Sequence, residues 1–183
     1  MKVTGVDLAG SPKNPTGFCV LSIDKNEKIV RCKILYSDED LISEIKKEAP
    51  KLTAVDAPLT FEGKNRSCDE NLHRYGALPV TLRGMEVLAR RGKAFGEQLT
   101  SEKIKAIEVN TKVSAKILGL ASKKDFEAQK KLLSVNLSGD ITERYLSRDE
   151  LDAVYAAITA YLHLEGQTSE VGETDGKVII PKI

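Results

Sequence analysis

Tryptophan is absent from these 183 residues, and aromatic side chains make up only 5% of them. Recognition of a single strand by many stacked bases needs a series of aromatic platforms, so the composition argues against it. A charge imbalance is missing too: 28 basic and 27 acidic residues leave a net charge of +1. No global field draws a polyanion to such a surface, and any phosphate contact has to come from local clusters. Cysteine is scarce. Cys19, Cys32 and Cys68 are widely spaced with no C-x-x-C among them, which excludes a disulfide framework and a zinc site of that pattern. Cys19 lies in the apolar run Phe18-Cys19-Val20-Leu21 and reads as a small core residue. No apolar run approaches the length of a membrane span, and the N-terminus has no charged region leading into a long apolar stretch. The expectation is a reduced, cytoplasmic protein with no membrane partner. The absence of a G-x-x-x-x-G-K-[ST] loop excludes a P-loop enzyme.

What is present fits one globular domain over 1–183: 41% hydrophobic and 30% charged residues, on a chain long enough to bury a core. Lys2 to Leu8, Gly17 to Asp24 and Lys28 to Tyr36 read as three strands of an antiparallel meander, with a polar turn at 24–27. Ser37-Asp38-Glu39-Asp40 opens a helix that carries Leu41, Ile42 and Ile45 and stops at Pro50. Lys51 to Asp56 is a fourth strand, brought parallel to the first by the helical crossover. The polar stretch from Leu59 to Gly84 has no clean period. With the helix from Met85 to Leu99 it forms an expected insertion over 59–100, lying across the strand ends. Ile104 to Val109 gives a fifth strand, and Val113 to Leu118 and Asp125 to Leu133 give short helices. Ser147 with Glu150 has capping-box spacing at the head of a long helix, and Asp175-Gly176 between apolar runs signals a C-terminal hairpin.

The chemistry lies in the acids. Asp7 and Asp56 end two strands at the carboxyl edge, where ligands bind in open α/β sheets. Asp149 and Asp152 are three apart in the first turn of the late helix and share a face. Asp56 is the hardest to treat as incidental, because a charge that ends an apolar strand costs burial energy. Four carboxylates brought together repel one another unless a cation joins them. Mg²⁺ or Mn²⁺ with oxygen ligands is the natural partner, and two ions about 3.5–4 Å apart support in-line phosphodiester hydrolysis. Candidate phosphate contacts are Lys64 with Arg66, the run Arg83, Arg90, Arg91 and Lys93, and the pairs Lys123–Lys124 and Lys130–Lys131. Each of these reads equally as solvated charge.

Five segments occur in order: Gly5-Val6-Asp7-Leu8-Ala9-Gly10, Ala54-Val55-Asp56-Ala57-Pro58-Leu59, Glu108-Val109-Asn110, Arg148-Asp149-Glu150-Leu151-Asp152-Ala153, and the tail from Val171-Gly172-Glu173 through Asp175-Gly176 to Pro181. Nearly end to end, the chain resembles the predicted RNase H-like nucleases of domain-of-unknown-function family 429. More widely it resembles Holliday-junction resolvases, which place acids on strands one and four and a D-x-x-D pair on a late helix. The resemblance implies an RNase H-like α/β fold, with a mixed five-stranded sheet flanked by helices, and a nucleic-acid substrate. It implies that Asp7 bridges the metals while Asp56, Asp149 and Asp152 complete the ligand set. Where the resolvases carry Glu on the fourth strand this chain has Asp56, shorter by one methylene. The resemblance extends to Arg66, Cys68, Asp69, His73 and Arg74. From these, Arg66, His73 and Arg74 are candidates to hold phosphate, and His73 for acid or base work. Glu108 is a candidate further ligand or general base.

Two other classes stay open on the sequence. Gly5-x-Asp7-x-x-Gly10 also resembles the first phosphate loop of actin-like and sugar-kinase ATPases, although the second loop of Asp-x-Gly type is missing. A catalytically silent nucleic-acid-binding module would keep the same fold. Oligomeric state is open as well, with a homodimer compatible.

Overall fold

The computed structural model describes residues 1–25 and 27–182. Strands β1 (Lys2–Asp7), β2 (Thr16–Asp24) and β3 (Glu27–Leu35) form the antiparallel meander, with Gly5 opposite Cys19 and Cys19 opposite Cys32. The turn expected at 24–27 includes Asn26, which lies outside the described residues. β1 and much of β2 are buried on both faces, which explains why they read as continuous apolar runs. Helix α1 (Asp38–Glu48) starts at Ser37, whose Oγ accepts the Asp40 N–H at 3.1 Å, and ends at Ala49 in the left-handed conformation before Pro50. It returns the chain to β4 (Thr53–Val55), parallel to β1.

After β4 the chain does not stay irregular. A short helix, α2 (Ser67–Leu72), and a single 3₁₀ turn (His73–Tyr75) precede α3 (Met85–Ser101) and β5 (Ala106–Glu108). Then follow α4 (Thr111–Ile117), α5 (Asp125–Leu133), β6 (Leu137–Gly139), α6 (Asp140–Glu143) and α7 (Arg148–Leu164). β7 (Thr168–Glu173) and β8 (Gly176–Pro181) make the terminal hairpin. The main sheet has six strands in the order β5-β4-β1-β2-β3-β6, not the five expected. The sixth, β6, adds in parallel to the outer edge of β3, opposite Lys28, Ile29 and Val30.

Helices cover both faces. Leu41 and Ile45 of α1 and Phe95 and Leu99 of α3 pack on Val6, Phe18, Val20 and Val55. On the other face α7 contributes Leu151, Val154, Tyr155 and Ile158, supported by Ala115 of α4 and Leu132 of α5. The Ser147–Glu150 capping box is formed, with Glu150 N–H donating to Ser147 Oγ and Ser147 N–H to Glu150 Oε2. Two glycines let α7 lie directly on the sheet. A Cβ on Gly5 would overlap the Ala153 carbonyl, and one on Gly17 would overlap the Asp149 carbonyl. A third cluster joins Cys68 and Leu72 of α2 to Val113, Val178 and Ile180, so the hairpin packs on the segment after β4. No helix among the described residues is long and apolar enough to cross a membrane.

Candidate active site

Asp7 closes β1, and Asp56 follows the last residue of the adjacent parallel strand. The Asp56 N–H still donates to Val6 O at 2.8 Å, so the two acids end neighbouring rungs of one ladder. Gly17 stands opposite Asp7 on β2, and the Asp149 backbone rests on that glycine. The sequence thereby fixes where the head of α7 meets the strand ends. One turn along, Asp152 reaches the same place. Asp7, Asp56 and Asp152 line a single cavity of about 240 Å³, together with Asn110 and Lys112. Asp149 is half-buried outside the cavity lining.

These carboxylates hold their protons unusually well. Burial and then the charges of Asp56, Asp152 and Asp149 push the Asp7 carboxyl far above the usual range, and Lys112 pulls it back. Burial raises Asp56, against hydrogen bonding from Thr111 and the charge of Lys112. Asp152 is pushed up to about 6, first by burial and next by Asp56. Asp149 is raised by burial, Glu150 and Asp125. The arrangement is a set of hard oxygen donors short of positive charge, which suits a divalent ion. Among the described residues, no three His, Cys, Asp or Glu side chains already stand at the spacing of a formed metal site. The donor chemistry fits such an ion, and the side chains would have to draw together around it.

Glu108 lines the same cavity but has no free oxygen to add to that set. Its Cα is paired with Val55 at the end of β5. There Glu108 is buried and both its oxygens are engaged: Arg66 Nη2 lies 2.6 Å from Oε1, and Arg66 Nη1 and the Leu59 N–H each lie 2.8 Å from Oε2. Arg66 is only 3% exposed, and it also donates to both oxygens of Asp69 and to the Thr60 carbonyl. That guanidinium has no donor left for phosphate, contrary to the sequence expectation. His73 and Arg74 are exposed on the 3₁₀ turn and line no part of the acid cavity; Arg74 sits over the Tyr75 ring. Arg91 is committed as well, clamping Ala9 O at 2.7 Å, Tyr36 O at 2.9 Å and Asp38 at 2.8 Å.

Sequence reasoning missed Thr111 and Lys112. The Thr111 hydroxyl donates to Asp56 Oδ2. Lys112 is the cation that acts on Asp7, Asp56 and Asp152 together. The usable signal was Asn110, whose side chain accepts the Val113 N–H at 3.0 Å and starts α4 immediately after β5. An N-cap at that position delivers the next two residues to the sheet edge.

No family model matches the chain, and no curated protein matches it. Among solved structures it is similar to RuvC from Thermus thermophilus, with a TM-score of 0.54 and 13% sequence identity. The match covers 91% of this chain and 97% of that one. At this identity the likeness establishes the architecture alone: a mixed α/β protein of RuvC-like, RNase H-type fold.

Proposed function

We propose that this protein is a metal-dependent nuclease that hydrolyses a nucleic-acid phosphodiester. The observation that carries the reading is the placement of Asp7, Asp56 and Asp152 on one cavity at the carboxyl strand ends, where burial pushes each toward its protonated form in the absence of a cation. The RuvC-like fold and the resemblance of the Asp149-x-x-Asp152 element to Holliday-junction resolvases point the same way. Asp7, Asp56, Asp149 and Asp152 would hold Mg²⁺ or Mn²⁺. When bound, such ions ease attack by water and offset charge on the leaving oxygen.

The chain's own groups have separable tasks. Thr111 fixes the orientation of Asp56 through its hydroxyl. Lys112 places a positive charge beside the carboxylates, where it can pair with a phosphate oxygen. Glu108 and Arg66 hold the segment after β4 against the strand end as positioning residues. The actin-like alternative requires a second phosphate loop that this sequence lacks.

A cleavage assay with duplex, single-stranded and branched DNA and RNA tests the reading. With Mg²⁺ or Mn²⁺, wild type is expected to cleave at least one substrate, and Asp7→Asn to lose about a hundredfold or more in rate. Equal background rates in wild type, Asp7→Asn and chelator-treated protein would refute it.

A further inference from the structure

The cavity that holds the acids has two chemically different walls. Strand ends, α4 and α7 supply the carboxylates, Asn110 and Lys112. The segment after β4, the start of α3 and the hairpin supply Leu72, Ala77, Val80, Leu88 and Val178, and all of these but Leu88 are buried. Arg66 and Glu108 on the same side are saturated by each other and by Asp69, so they leave this wall without a free guanidinium. The volume of about 240 Å³ lies below the ~300–1,000 Å³ usual for pockets that take drug-sized ligands. A base-paired duplex is too wide to enter a space of that size, which leaves room for no more than one unstacked ring.

We infer that the cavity seats a single unpaired nucleotide, its base against the aliphatic wall and its phosphate at the carboxylates and Lys112. The inference rests on the nuclease reading and narrows its substrate to a nucleotide outside the stack: bulged, single-stranded or flipped out. In a phosphodiester substrate the apolar part joined to the phosphate through the sugar is the base, and in an intact duplex that face is covered by its neighbours. Enzymes that do chemistry on a base extrude it into a pocket between apolar or aromatic side chains, so a seat of this kind holds one unstacked base. Among the described residues no aromatic ring lines this cavity, so the seat works by aliphatic packing on one base. That agrees with a composition too poor in aromatics for a multi-base platform. Leu78 lines the cavity and is 51% exposed, which places an apolar group at its rim for the edge of an entering base.

Three substrates of one sequence test the seat in Mn²⁺: a perfect duplex, the duplex with one bulged nucleotide, and the same bulge made abasic. Cleavage beside the bulged base is expected about tenfold faster than in the perfect duplex, and the abasic bulge should lose about that factor. Ala77→Phe, which fills the aliphatic wall, should lower the ratio of base-bearing to abasic rates about tenfold. Leu88→Ala, which removes packing surface, should lower it in the same direction, and melting curves establish which variant is folded. Equal rates on all three substrates, or an unchanged ratio in a folded variant, would overturn the seat. If wild type cleaves nothing, the nuclease reading fails separately, and thermal shift with a nucleoside monophosphate against ribose 5-phosphate judges the seat. Stabilisation by the nucleotide alone, lost in the folded variant, upholds it, and an equal response to both ligands overturns it.

Discussion

Asp7 and Asp152 are kept apart from ordinary surface acids by burial and by neighbouring carboxylates, and this has a sign that can be measured. A carboxyl whose folded value is raised binds its proton more tightly in the native state than in the unfolded chain. Its contribution therefore stabilises the protein at low pH and is lost as pH rises through the folded value. For Asp152 the window runs from its ordinary 3.8 to about 6. In chelator, Asp152→Asn should gain in Tm relative to wild type as pH rises across that window, with the difference level above it. A Tm difference that stays constant from about pH 4 to about pH 7 contradicts the assignment. Added Mg²⁺ should stabilise wild type more than the variant. Of these side chains, Asp56 was legible in sequence because a charge at the end of an apolar strand demands a reason. Glu108 looked equivalent to it, and only its engagement by Arg66 and the Leu59 N–H sets it apart. Lys112 was hidden among 28 basic residues, since nothing local distinguishes a lysine that a short helix carries to the acids.

Helix α7 reaches the strand ends because β1 and β2 present no Cβ under it at Gly5 and Gly17. Gly17→Ala would set a methyl against the Asp149 carbonyl, and it is expected to cost about 1–3 kcal/mol or more by overpacking. Urea unfolding measures that loss. Cleavage should fall further than stability does, because the displaced backbone is that of Asp149. A variant with native stability would show that α7 does not bear on Gly17. The segment after β4 depends on a different join. Arg66 ties α2 through Asp69 to β5 through Glu108, with all three side chains largely buried. Arg66→Met leaves two carboxylates without their partner and should cost about 3–5 kcal/mol, whereas Arg66→Met with Glu108→Met should cost less than the two single changes summed. Strictly additive costs contradict the coupling. Helix α7 could be read from Ser147 and Glu150 because its cap is local. Helix α2 could not, since six residues with no apolar period are held by a distant group: Asp175 of the hairpin accepts the Ser67 N–H at 2.8 Å and the Ser67 hydroxyl at 2.6 Å. β6 escaped for a similar reason, being three residues whose strand character comes from the edge of β3.

The order of elements, three antiparallel strands, a helical crossover and a parallel fourth strand, was readable because each strand is bounded by turn residues and the crossover restricts the topology. It yields a RuvC-like arrangement with only 13% sequence identity, so the layout rests on patterning and close helix packing more than on particular side chains. The cavity was not readable in the same way. Its aliphatic wall is assembled from separate elements, Leu72, Ala77 and Leu88 after β4 and Val178 of the hairpin, which share no periodic pattern. The acids were expected together, and three of them meet there, with Asp149 one turn back at the head of α7. The reading as a nuclease stands or falls on whether that meeting point is a metal centre. Anomalous diffraction from crystals grown with Mn²⁺ tests this most directly. The prediction is a manganese peak bound by Asp7 and Asp56 with at least one of Asp149 and Asp152, absent from Asp7→Asn crystals. Crystals with manganese bound elsewhere and no peak at Asp7 would contradict it.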